Sequence, residues 1–515
     1  MSAPYPGSPE MYAAIRSDTI ALIDGDTEVS FARWNALSDS AAAHLLALGV
    51  KAGDRIAVRM SVRHEWFFLQ AAASKIGAAI VGVNHRLSPP ETAYMLEDSG
   101  PAAFVLDDSE PAPLIEVWKR LCAGPVISVH PAPGAEAFAD LFNDDDAPTL
   151  IARAPAPLIL YTSGTTGRPK GVAMRPEVLA ARANVMEYRQ MMATIIPVDA
   201  NSRALASLPF HHSSGPNTSL FCLMAGGGAV MLPRFEAEKA LQLIERHRIT
   251  HMMAVPTMLH RIRTLAPEIT AKYDTSSLTY LTTGAAAVPY SLKTWALDFF
   301  GPQCQLFEGY GMSETLMISY LYPHEQLSKP GSSGRVLPYV ELSIREDGGM
   351  KALPTNAIGE VCVRTPMTID RYLNRDPLGA GELTPDGLFR TGDVGYLDDE
   401  GYLYITDRLK DMIIAGGSNI YPAEIEAVLV EHPAVIDAAV IGVPSDEYGE
   451  QALAFCEARP GANAGDILAF CKGRLATYKL PREIIFVDEL PRNPTGKVTK
   501  TTLRAPYWQG RERKV

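Results

Sequence analysis

Short apolar runs alternate with amphipathic stretches along most of the chain, and this alternation restricts the fold more than any other feature. Residues 31–48 carry Trp34, Leu37, Ala41, Leu45 and Leu48 at helical spacing and predict a helix. Residues 55–60 read as a strand, 65–76 as a helix and 79–83 as a strand again. Residues 103–106 and 158–161 are further short apolar strands bounded by turn residues. Strands separated by helices predict parallel sheets covered by helices, an α/β fold.

The pattern changes near Asp407. Residues 401–405 read as a strand and 407–411 as a charged connection, followed by a glycine pair. A helix begins after Tyr421 and Pro422, places Ile425, Val428 and Leu429 on one face, and stops before Pro433. Strands over 435–443, 452–458 and 484–487 and a helix over 466–475 complete a compact α+β unit. The expected organisation is a large α/β domain over 1–406, a hinge at 407–411 and a small domain over 412–515.

Composition removes several function classes. Hydrophobic residues make up 47% and charged residues 21%, so a disordered chain is excluded. Lys plus Arg total 47 against 59 Asp plus Glu, a net charge of −12, which argues against gripping nucleic acid by bulk charge. A local basic pocket for a phosphorylated ligand stays open. Cys122, Cys222, Cys304, Cys362, Cys456 and Cys471 form no CxxC pair, and no histidines fall at zinc spacing. Thiols in a reducing compartment are expected rather than a disulfide framework or a structural zinc. Residues 1–10 show no basic-then-apolar signal, and no apolar run approaches the ~20 residues of a spanning helix. The expectation is a soluble, cytoplasmic protein without a transmembrane segment. Even the most apolar early stretch, 71–83, contains Lys75 and Gly77.

The segment YTSGTTGRPKGV, residues 161–172, carries the sharpest chemistry. It follows an apolar strand. Thr162, Ser163, Gly164, Thr165, Thr166 and Gly167 run consecutively, then come Arg168 and Lys170. Glycines admit close approach of an anion, and successive N–H groups can form a nest around phosphate oxygens. A Walker A loop is excluded, because Pro169 stands where that pattern requires its second glycine. A hydrolase reading is poor, because Gly311-Met312-Ser313-Glu314-Thr315 lacks the second glycine of a nucleophile elbow.

This segment resembles the phosphate-binding signature of the AMP-forming acyl-CoA synthetases of the adenylate-forming superfamily. The resemblance recurs in order along the chain. YGMSET at 310–315 resembles the second core motif, and RTGD at 390–393 the ribose-binding motif. DRLKDMIIAGGSNIYPAEIE at 407–426 resembles the hinge region, and PRNPTGK at 491–497 the segment carrying the C-terminal catalytic lysine. The resemblance implies a large AMP-binding domain over 1–406 and a small, mobile domain over 412–515, with Lys410 as the hinge residue.

It also implies roles. ATP and AMP would be bound by Thr162, Ser163, Gly164, Thr165, Thr166, Gly167 and Lys170 at the phosphates. Gly284, Ala285, Ala286, Glu308, Gly309, Tyr310, Gly311 and Thr315 would form the adenylate pocket, with Asp393 and Arg408 at the ribose. Glu314 and Thr166 would hold Mg²⁺, and Gly416 and Gly417 would let the pantetheine arm of CoA pass. Lys497, Glu314 and His212 would be catalytic. Each assignment has a physical rationale. Glu314 is a hard oxygen ligand suited to Mg²⁺. Tyr310 offers a flat face to adenine. Asp393 can accept two hydrogen bonds from a ribose diol, and Arg408 adds a cationic donor. Joining a carboxylate to an α-phosphate brings like charges together, and a lysine between them lowers that barrier. Lys500 is a competitor but lacks the preceding Pro-Thr-Gly context. Counting from Pro209 selects His212 over His211, and Ser213, Ser214 and Gly215 suggest room for a wide acyl group.

The implied reaction converts a carboxylic acid and ATP to acyl-AMP and pyrophosphate, then, with CoA, to acyl-CoA and AMP. A medium- or long-chain or bulky alkanoic acid is the first expectation and an aromatic acid the second. Phe210, Met258 and Met317 are candidate pocket residues but read equally well as core. An adenylating enzyme with a non-CoA acceptor is a second hypothesis. A non-catalytic nucleotide binder is a third, and it predicts loss of signature residues that are all present here. Family members are often dimers, so a homodimer is an open expectation.

Overall fold

The computed structural model describes residues 3–143, 146–162, 168–174, 176–284, 288–346, 348–415, 418–445, 448–492 and 497–509. Two parallel-rich sheets dominate. In the first, Ile20–Asp24, Gly228–Met231, Arg203–Ala206, His251–Ala254, Tyr280–Gly284 and Gln305–Met312 lie side by side and parallel. Antiparallel strands flank them, Thr27–Ser30 at one edge and Leu316–Leu321 with Arg335–Val336 at the other. In the second, Glu136–Ala137, Val126–Ser128, Ala103–Leu106, Arg55–Arg59, Ala79–Gly82 and Leu158–Thr162 are parallel, and Lys170–Val172 returns antiparallel. The expected alternation of strand and helix thus yields the α/β layering.

The helices Phe31–Ala47 and Glu65–Ile76 explain how the two sheets share a core. Ser30 caps the first by accepting a hydrogen bond from the Arg33 N–H at 3.2 Å, and Phe31, Trp34, Ala41, Ala42 and Leu45 are buried along one stripe. The second is buried on nearly every side and ends at Gly77, whose φ of +82° suits a left-handed cap. Their side chains join residues of both sheets in one apolar cluster.

Lys75 sits inside this layer with its side chain 0% exposed. Its ammonium meets Asp39 at 2.9 Å and Glu10 at 3.0 Å, and donates to Asn35 Oδ1 and the Leu150 carbonyl at 2.9 Å each. The charge that interrupts the apolar stretch 71–83 therefore ties the N-terminal helix Pro9–Ile15 to both central helices.

Two smaller sheets follow. Glu341–Arg345, Gly359–Arg364, Phe389–Leu397 and Leu403–Arg408 form an antiparallel sheet. Here the sequence expectation is corrected. The strand expected at 401–405 starts later and runs through Asp407 and Arg408, because both pair with the preceding strand. The last sheet contains Ile413–Ala415, Ser418–Ile420, Val435–Ser445, Gly449–Ala458 and Ile484–Val487. The helix Pro422–Val430 lies as expected, and the helix expected at 466–475 spans Ala464–Cys471. Asn463 sets its start by accepting from Gly465 and Asp466 N–H groups, at 2.7 and 3.2 Å. Residues from 413 onward bury their own apolar clusters. All six cysteines are unpaired thiols, five of them buried. Among the described residues, no helix is long and apolar enough to cross a membrane.

Replacing Lys75 by Met strips two buried carboxylates of their counter-charge. The expected loss is about 3–5 kcal/mol of unfolding free energy, read as a lowered urea midpoint. Unchanged stability would mean that Glu10 and Asp39 are not held by this ammonium.

Candidate active site

The C-terminal ends of the parallel strands are where open α/β sheets hold ligands. Gly284 and Gly309 face each other there in register. A Cβ on Gly284 would lie 2.6 Å from the Gly309 carbonyl oxygen, so the strands can close at this edge only with glycine. Gly311 is constrained likewise, with the Leu316 carbonyl oxygen 2.4 Å from a built Cβ. The turn beyond carries Glu314 and Thr315, both buried, and Leu316 follows with a φ of +59°, a strained value for a leucine.

Asp393 is the centre of the site. It is 4% exposed, and one carboxylate oxygen accepts the Tyr310 hydroxyl at 2.7 Å. The other accepts Arg408 Nε at 2.6 Å. Asp393 and Arg408 are cross-strand partners, so sheet register puts the pair in contact. Each oxygen keeps further lone-pair capacity for a diol. Burial, then the Asp393 charge, holds the Tyr310 phenol well above its usual pKa, so it stays a donor.

Lys497, near the far end of the chain, lies within electrostatic range of this cluster. It is half-buried. Burial, with the positive charge of Arg408 and a smaller effect of Lys410, pulls its pKa down to about 8, against the opposing pull of Asp393. Lys497 also acts on His212. Burial, then the Lys497 charge, lowers His212 to about 4, so its ring is neutral at pH 7. His212 Nδ1 lies 2.8 Å from Ser214 Oγ and accepts the Ser214 backbone N–H at 3.4 Å. An accepting Nδ1 leaves Nε2 to carry the proton. His211, its neighbour, is pushed down to about 3, first by burial, and has no hydrogen-bond partner on either ring nitrogen among the described residues.

Glu314 accepts the Thr162 hydroxyl at 3.0 Å and the Tyr372 hydroxyl at 3.2 Å, both on one oxygen. It forms no ion pair among the described residues, so a buried carboxylate stands with neutral donors only. That donor set fits a hard divalent cation such as Mg²⁺. Thr162 is the cross-strand partner of Lys170, which fixes the two ends of the Gly/Ser/Thr connection. Lys170 Nζ is 3.4 Å from Glu382 and 4.6 Å above the Tyr372 ring centroid.

Several expectations resolve differently. Ser163, Gly164, Thr165, Thr166, Gly167, Ala285, Ala286, Gly416 and Gly417 lie outside the described residues. The Glu308 carboxylate turns into the core and pairs with buried Lys293 at 2.6 Å, so it offers a nucleotide its backbone alone. The Thr315 hydroxyl donates to the Leu316 carbonyl. Gly215 does not widen an acyl pocket. A Cβ there would fall 1.9 Å from the Pro209 carbonyl oxygen, so its small size serves the tight turn. Phe210 packs between Trp66 and Phe67, at 4.8 and 5.3 Å between centroids, and Met258 is buried in an apolar cluster, so both are core. Met317 is half-buried, its sulfur 3.0 Å from a Cβ built on Gly309. Lys500 is anchored to Glu426 at 2.7 Å, away from the competition with Lys497. Lys410 is exposed, on the turn after the strand Leu403–Arg408. Sequence reasoning missed Tyr372 and Glu382, which have no motif around them; only the folded sheet edge brings them to Glu314 and Lys170.

The chain matches the model of the AMP-binding enzyme family over residues 10–373 and that of the AMP-binding enzyme C-terminal domain over 424–497. It is 37% identical over 510 residues to the long-chain-fatty-acid–CoA ligase FadD13 of Mycobacterium tuberculosis, covering 97% of this chain and 96% of that one. It is 32% identical to the fatty acid–[acyl-carrier-protein] ligase ScoC of Streptomyces coeruleorubidus, covering 96% and 94%. Among solved structures it is similar to o-succinylbenzoate coenzyme A synthetase from Bacillus subtilis in complex with ATP and magnesium ion. That match has a TM-score of 0.80 and 31% identity, over 97% of this chain and 100% of the other. With this edge geometry and these matches over nearly its whole length, the chain belongs to the AMP-binding enzyme family of adenylate-forming ligases.

Proposed function

We propose that this protein is an AMP-forming acid–CoA ligase that activates a fatty or bulky alkanoic acid. The single observation that carries the reading is the Tyr310–Asp393–Arg408 cluster at the sheet edge, with Lys497 from the far end of the chain within electrostatic range of it and of His212. In this reading Tyr310, Asp393 and Arg408 hold the adenosine. Thr162 and Lys170 face the phosphates, and Lys170 exchanges Glu382 for phosphate oxygens. His212 Nε2–H orients the acyl carboxylate. Glu314 holds Mg²⁺, which when bound neutralises charge on the phosphates. The Lys497 ammonium stabilises charge as the carboxylate attacks and pyrophosphate departs. Holding both reactants in one cleft supplies about 7–11 kcal/mol through orientation.

Residues 1–406 would then form the adenylating domain and 412–515 a mobile domain, turning about Lys410 before CoA attacks the acyl carbonyl. The fatty-acid ligase among the relatives supports an alkanoic acid, and the o-succinylbenzoate enzyme keeps an aromatic acid as the second choice. The ScoC match supports a carrier-protein acceptor as the alternative to CoA. ATP, Mg²⁺ and CoA are cytoplasmic solutes, and the cytoplasm is the proposed location.

A panel of carboxylic acids assayed for AMP release, with and without free CoA, tests the reading. Acyl-CoA from at least one alkanoic acid is expected; pyrophosphate exchange without any acyl-CoA would favour the carrier-protein acceptor. Lys497→Ala is expected to lower adenylation at least a hundredfold while thioester formation from supplied acyl-AMP persists. Equal loss of both steps would remove the domain-alternation part.

Lys410→Pro fixes φ at the hinge and is expected to slow the second step more than the first. Stopped-flow resolution of the two half-reactions decides it, and equal slowing would count against the hinge.

The pH profile has a definite sign. Lys497 acts as the ammonium and its pKa in the free protein is lowered to about 8, so kcat/KM for ATP in adenylation should fall as pH rises through about 8. Lys497→Arg, which does not deprotonate in this range, should flatten that limb. A limb unchanged in the arginine variant would assign it to another group.

A further inference from the structure

We propose that a basic cleft at the opposite edge of the large sheet binds a small phosphate-bearing anion. Ile20, Arg203 and Gly228 are the first residues of three adjacent parallel strands, and all three line the cleft. Gly284 and Gly309 lie toward the other ends of strands running the same way. The cleft is therefore separated from the adenylation site by the length of the sheet.

Its lining includes Arg16, Arg203, Arg248 and His247 and contains no carboxylate. Three guanidiniums around one concavity, in a chain of net charge −12, run against the average surface and select an anion carrying more than one negative charge. The guanidiniums are positioned by single contacts. Arg203 Nη1 donates to the His247 carbonyl at 3.0 Å, Arg248 Nη1 meets Asp274 at 2.9 Å, and Arg16 Nε donates to Thr19 Oγ1 at 3.4 Å. A guanidinium has five N–H donors, so each keeps donors for a ligand. Asp274 and Asp199, which holds the Asn201 N–H at 2.8 Å, stay outside the lining.

His247 adds a polar side chain to the lining. His247 is 9% exposed, and its Nε2 is buried without a hydrogen-bond partner among the described residues. Buried polar atoms are ordinarily satisfied, and His247 is among the residues that line the cleft. Burial, then the positive charges of Arg246 and Arg203, lowers its pKa. The cleft measures about 270 Å³. That is just under the range of about 300–1,000 Å³ for drug-sized ligands and fits a compact anion such as a diphosphate or a phosphomonoester.

The test is calorimetric titration of inorganic pyrophosphate into the full-length protein, its Arg16→Gln/Arg248→Gln variant and its Lys170→Ala variant. Arg248 is 62% exposed and Arg16 half-buried, so the double variant should keep its melting temperature. If melting shifts, Arg248→Gln alone is read instead. The expected result is a binding event weakened at least tenfold in the arginine variant and retained in Lys170→Ala. Equal affinity in the arginine variant, or loss confined to Lys170→Ala, would overturn the proposal. Saturable binding to phosphatidylglycerol vesicles that pyrophosphate does not displace would also overturn it, because the arginines would then read a lipid surface.

Discussion

One buried carboxylate organises the candidate site. Asp393 accepts Tyr310 from the large sheet and Arg408 from the strand that leads into the final part of the chain. A hydrogen bond to a charged group is worth about 1.5–3 kcal/mol. The ion pair contributes less than its short distance suggests, because the Arg408 side chain is 46% exposed and screened by solvent. Its main effect is positional. It fixes the strand end from which the turn carrying Lys410 departs, and it supplies the negative charge that partly offsets the crowding of Lys497 by Arg408.

Lys497, Arg408 and Lys410 lie within electrostatic reach of one another, and Asp393, Asp411 and Glu314 act on Arg408 with the opposite sign. The strained Leu316 beyond the Glu314 turn and the partner-poor His211 are further local costs in the same region. Functional edges commonly hold such costs against an otherwise over-determined core. Here that core is the apolar layer between the two large sheets, pinned by Lys75 and its carboxylates.

Much of the architecture was legible from periodicity. The helices at Phe31–Ala47, Glu65–Ile76 and Pro422–Val430 follow the apolar stripe and the caps closely, because these signals are local. Legibility failed where a long-range contact decided the outcome. The strand ending at Arg408 outran its apolar pattern because Asp407 and Arg408 found cross-strand partners. Gly215 suggested an open pocket, yet it answers to a carbonyl oxygen at a tight turn. Glu308 sits inside a nucleotide-type motif, yet its carboxylate belongs to Lys293 in the core.

The amino-acid order by itself determined the chemistry available: a hydroxyl- and glycine-rich connection, a ribose-type aspartate, an acidic turn and a lysine near the end of the chain. It also determined the alternation that forces parallel sheets. Only the tertiary structure decided which of these groups meet. Tyr372 beside Glu314, Glu382 beside Lys170, Tyr310 beside Asp393 and the arginines around His247 join residues far apart in the chain. Such meetings depend on sheet register and on how helices pack across it. Local periodicity carries no information about either, because a strand's pattern fixes which face a side chain takes and not which distant strand lies beside it.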